Sequence, residues 1–185
     1  MHRLFSRAIC AATLCALAPP AFAHAVLATR EAEPNATYRA VVQITHGCNG
    51  SPTRTVRVTV PDGVIAARPM PKPGWTLATS KGPYGKGYSY HGATLAEGVK
   101  EITWSGGSLP DDQFDEFTFT ARITEDIRPG ATLRFPTVQE CETGELRWVE
   151  IPAEGQDPHA LKSPAPGVRI VAAAAAQAQA AAPAP

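Results

Sequence analysis

The sequence is poor in the features that most often announce a function. Its 17 lysines and arginines are matched by 17 aspartates and glutamates, and they are scattered, so neither the basic footprint of a nucleic-acid binder nor a cationic stripe for anionic membranes is present. Methionine occurs only at Met1 and Met70, which excludes a methionine cluster for a soft metal ion. No apolar run approaches the roughly 20 residues that a membrane-spanning helix needs. Ten consecutive residues of helical periodicity are absent from the body of the chain, which argues against alternating βαβ folds. There is no internal repeat, no G-x-S-x-G and no H-E-x-x-H, and no serine stands at a recognisable spacing from a base.

What is present begins at the N-terminus. Arg3 and Arg7 precede an apolar stretch from Ala8 to Ala18, a Pro19-Pro20 break and the small-residue site Ala21-Phe22-Ala23. That order is the secretory pattern of charged region, short apolar core and cleavage site, so residues 1–23 are expected to be a removable signal peptide. Cleavage after Ala23 would make His24 the first residue. Its new α-amine and its Nδ1 could then close one chelate ring on a metal ion, and two nitrogens from one residue favour Cu(II), which heads the divalent affinity order. Removal of Arg3 and Arg7 leaves the mature protein slightly acidic.

Of the four cysteines, Cys10 and Cys15 fall in the expected signal peptide. Cys48 and Cys141 remain, an even pair in an oxidising compartment, and are expected to form one disulfide between two turn-like stretches. The chain between them reads as strands. Tyr38 to Thr45 is β-rich, Thr53 to Val60 alternates with Val56, Val58 and Val60 on one face, and Val99 to Trp104 and Phe114 to Ile123 are further strands. Thr76 to Ser80, Thr132 to Val138 and Glu145 to Ile151 complete the set. Short strands separated by turn signals predict an all-β antiparallel sandwich over residues 24–155. From about Gln156 the composition shifts to proline and alanine, and residues 156–185 read as a low-complexity tail.

Several residues could carry chemistry, each beside a plainer role. Asp115 and Glu116 interrupt the most apolar strand, where charge is disfavoured; alternation sends them to opposite faces, and an acid at a solvated strand entry accounts for them equally well. Trp148, with Glu150 on its face, could wall a metal site or simply fill the core. His46, His91 and His159 show no ligand spacing. Trp75, Tyr84, Tyr88, Tyr90 and Trp104 could form a carbohydrate platform, although packing explains them more simply.

Five segments in order, His24-Ala25-Val26, Pro71-Lys72-Pro73-Gly74-Trp75, Ile102-Thr103-Trp104-Ser105-Gly106-Gly107, Phe114-Asp115-Glu116-Phe117 and Arg147-Trp148-Val149-Glu150, together resemble the YcnI-like family, DUF1775. The resemblance implies an exported Cu(II)-binding domain with an immunoglobulin-like or cupredoxin-like sandwich. It also implies a single-histidine brace, in which the N-terminal histidine gives two nitrogens, an acidic side chain completes the binding and a tryptophan lies near. Carried over, these are His24, Glu116 with Asp115 and Glu150 as alternatives, and Trp148. The expected role is periplasmic copper homeostasis without catalysis, as a chaperone or buffer for Cu2+ that meets another copper-handling periplasmic or membrane protein. Two other readings stand beside it. A copper-dependent oxidative enzyme similar to a lytic polysaccharide monooxygenase would need His46 or His91 as a further ligand, and a metal-free exported binding module would need no copper at all.

Overall fold

A computed structural model describes residues 24–173. Alternating apolar residues form two antiparallel sheets that share one core. The first sheet has the order β1-β3-β8-β5, from Val26–Leu27 (β1), Thr37–Ile44 (β3), Asp115–Ile123 (β8) and Val64–Pro69 (β5). The second has the order β11-β10-β4-β7-β6, from Glu145–Trp148 (β11), Thr137–Cys141 (β10), Thr53–Thr59 (β4), Ala93–Leu109 (β7) and Thr76–Tyr90 (β6). Val42, Phe117 and Phe119 from one sheet meet Val56, Val58, Ile102 and Trp104 from the other in a common buried cluster. The valine face read from the 53–60 alternation points inward as expected: Val56, Val58 and Val60 are all buried. No helix of the described residues is long and apolar enough to cross a membrane.

Cys48 and Cys141, 93 positions apart, are joined by a disulfide with a Cα–Cα distance of 6.0 Å. The bridge fixes the turn after β3 to the end of β10 and so holds together two segments that belong to different sheets.

Two regions differ from the sequence reading. The glycine- and tyrosine-rich stretch after Ser80 continues β6 and β7 into one long hairpin, closed by His91 and Gly92 with φ of 49° and 78°. Positive φ at both central residues is the two-residue turn whose twist suits paired strands; the outer half of the hairpin is mostly exposed, so no sustained apolar alternation betrays the strands.

The second difference is the domain boundary. Residues 156–170, expected to begin a low-complexity tail, belong to the folded body. Gly167–Ile170 (β12) pairs in parallel with Glu31–Ala32 (β2) and antiparallel with Thr132–Arg134 (β9). Val168 and Ile170 are fully buried in the common core, which is the physical reason the boundary moves to about residue 170. Two alternating apolar residues suffice to dock a strand, but they are inconspicuous within a proline- and alanine-rich stretch. Residues 1–23 and 174–185, where the signal peptide and the alanine-rich end were expected, lie outside the described residues.

Candidate functional site around His24

His24 owes its position to the residues that follow it. Ala25 and Leu27 are buried in the core, Val26 and Leu27 pair with Gln43 and Val42, and the Ala28 N–H donates to the Val41 carbonyl at 3.0 Å. The half-buried imidazole packs edge-on against Trp148, with ring centroids 5.6 Å apart and planes at 80°. Trp148 comes from β11, at the edge of the opposite sheet, and is itself buried. Two residues that the resemblance assigns to one site, 124 positions apart by their numbers, therefore touch.

Trp148 is held from behind. Its indole N–H donates to Gln139 Oε1 at 3.2 Å, while Gln139 Nε2 donates to the His46 carbonyl at 2.6 Å and to Thr53 Oγ1 at 2.8 Å. Gln139 is only 1% exposed and sits in an inward row with Leu146, Val56 and Trp104. A buried amide in such a row has to be hydrogen-bonded, and here both ends are. His46 also packs edge-on against Trp148, at 6.2 Å and 83°. Its Nδ1–H donates to the Gly47 carbonyl at 2.5 Å, which fixes the ring's orientation.

The sequence did not single out Gln139, and it offered His46 only as the further ligand that an oxidative copper enzyme would need. The one available signal was an interruption of the apolar alternation of β10 by Thr137 and Gln139, both buried. His91, by contrast, lies at the β6–β7 turn against Tyr90.

The candidate carboxylates are all engaged. Glu116 lies on the outer, exposed face of β8 and accepts from Gln43 Nε2 at 3.0 Å. The cross-strand row runs Val26, Gln43, Glu116, which sets Glu116 two strand spacings, about 10 Å, from β1. Asp115 pairs with Lys72 at 2.6 Å and caps its own neighbour's N–H. Glu150 accepts from the Ser163 N–H in the stretch that pairs with Pro164. Among the described residues, no group of three or more His, Cys, Asp and Glu side chains gathers as a metal site would. A brace of the kind the resemblance implies, drawing both nitrogens from one residue, would not require such a group.

The aromatic platform is not assembled. Trp104 is fully buried, Trp75 packs on Phe117 with centroids 5.0 Å apart, and Tyr84 bonds the Ala66 N–H at 3.0 Å.

On its other side His24 faces a cavity of about 360 Å³, walled by Arg30, Arg134, His159 and the Pro164–Gly167 stretch. The short 3-10 turn Pro158–Ala160 supplies His159 and is capped by the Asp157 side chain.

The comparisons agree with this architecture. A crystal structure of an uncharacterized protein from Nocardia farcinica, described as revealing an immunoglobulin-like fold, is similar over 80% of this chain and 98% of that one, at 21% identity and a TM-score of 0.58. None of the curated proteins matches. The model of the family DUF1775, described as a domain of unknown function, matches residues 24–170.

Proposed function

The chain belongs to the DUF1775 family, and from that premise we propose that it is an exported, periplasmic Cu(II)-binding protein that holds its cargo at His24 and performs no catalysis on it. In this reading residues 1–23 are removed after Ala23, the freed amine and the imidazole of His24 chelate the ion, and Trp148 shields one side. The contact between His24 and Trp148 carries the reading: the N-terminal strand is anchored so that the one residue able to supply two nitrogens rests on the tryptophan the family resemblance names. The donor chemistry suits the ion, since nitrogen and carboxylate oxygen favour Cu(II) and the disulfide removes both described thiols from competition. Glu116, bonded to Gln43 and two strands away from β1, does not reach His24 in this arrangement, so the acid that completes the donor set is left unassigned.

A chaperone or buffer of this kind passes copper to another copper-handling protein of the same compartment. Binding displaces protons from nitrogen ligands, so affinity falls on acidification.

The test is a Cu(II) titration of protein verified by mass to begin at His24, followed by electron paramagnetic resonance. The expected result is one-to-one binding with a type 2 signal and nitrogen couplings, lost on His24→Ala or when one residue is left before His24. Tight binding that survives both changes, or none by the authentic protein, refutes the proposal.

A further inference from the structure

The cavity beside His24 has a lopsided lining. Among the described residues Arg30, Arg134, His24 and His159 are the titratable ones that line it, and none of its lining is a carboxylate. At about 360 Å³ it falls within the range of small-molecule sites.

Arg134 is built into this wall rather than draped over it. Its Nη1 donates to the Ala165 carbonyl at 3.0 Å. The guanidinium also passes so close to Gly167 that a Cβ there would stand 2.9 Å from Nη1 and 3.0 Å from Cζ. The side chain is half-buried, and desolvation draws its pKa downward. Among the described residues neither Arg134 nor Arg30 has an ion-pair partner, whereas Arg169 on the neighbouring strand is paired with Glu31. A partly desolvated cation without a counter-ion is unfavourable by itself, and a fixed guanidinium fork matches the geometry of carboxylate and phosphate groups. The prolines at 158, 164 and 166 stiffen the wall that faces it.

We propose that this cavity binds a small oxyanion, a carboxylate or phosphate group, on Arg134, with Arg30 as a second cationic contact at the exposed side. The site is complete in the metal-free protein and does not rest on the copper reading. Where both hold, the anion lies beside the ion on His24 and supplies negative charge that the cavity lining lacks.

The experiment uses metal-free protein beginning at His24, titrated with citrate and separately with inorganic phosphate while the Ala165 and Gly167 amides are followed by nuclear magnetic resonance. Saturable shifts are expected, weakened at least tenfold by Arg134→Gln and several-fold by Arg30→Gln. Saturation by citrate alone assigns a carboxylate ligand, and by phosphate alone a phosphate ligand. Arg30 is exposed, so its variant keeps the test decisive even if Arg134→Gln unfolds. Absence of saturable shifts with both anions up to about 20 mM, a concentration that would reveal even millimolar affinity, overturns the proposal. Affinity unchanged by the arginine substitutions does the same. Because no metal is added, either failure leaves the copper titration to be judged separately.

Discussion

Replacing Gln139 with leucine would remove three hydrogen bonds at once: from the Trp148 indole N–H at 3.2 Å, to the His46 carbonyl at 2.6 Å and to Thr53 Oγ1 at 2.8 Å. The Thr53 hydroxyl can rotate toward another acceptor, but the buried indole N–H and the His46 carbonyl lose a partner that water cannot readily replace. Each such orphan costs about 1–3 kcal/mol, so two cost about 4 kcal/mol, from which the greater apolarity of leucine takes back about 1. The expected net loss is about 3 kcal/mol, measured by urea unfolding followed by circular dichroism. Trp148→Phe removes the donor itself, and the double variant should therefore fall short of additivity by about 1–2 kcal/mol. A loss below 1 kcal/mol for Gln139→Leu, or strict additivity with Trp148→Phe, would refute the view that this amide clamps the tryptophan.

Two further predictions concern the frame. Tyr38 is buried with its phenol donating to the Thr29 carbonyl at 2.5 Å, and burial pushes its pKa up from 10.0 to about 12. The unfolded chain releases this proton first, so stability is intact below about pH 10 and drains between pH 10 and 12, by up to about 3 kcal/mol. Alkaline unfolding curves should show that decline, and Tyr38→Phe should flatten it. Ile170→Ala removes a fully buried side chain from β12 and should cost about 2–5 kcal/mol in a thermal or urea melt; a change below 1 kcal/mol would return these residues to the tail.

The sandwich was legible because its central strands obey the two-residue period: Val56 and Val58 on β4 and Phe117, Phe119 and Ala121 on β8 all face inward. The long hairpin was not, since backbone pairing rather than side-chain burial holds its outer half, and a His-Gly pair closes it. The partnership of His24 and Trp148 came from family resemblance, as no periodicity links an N-terminal residue to a strand near the other end. Gln139 escaped notice because glutamine in a strand usually marks the solvent side. The contact of His46 with Trp148 was not legible because the neighbours of His46 read as a turn, which they are; only the fold brings that turn to the tryptophan.

The parallel pairing of β2 with β12 also governs when the protein can be finished. Arg169 N–H donates to the Arg30 carbonyl at 2.8 Å and Val171 N–H to that of Ala32 at 2.9 Å, so the segment just after His24 is clasped by residues made much later in the chain. An emerging chain can pair β3 with later strands early, but the backbone beside His24 stays open until residue 170 has been delivered. Closing so long a loop is slow relative to local pairing, and the cavity next to His24 acquires its far wall in the same late step. A chain stopped short of that strand would display His24 on an unsecured segment, with half of its surroundings missing.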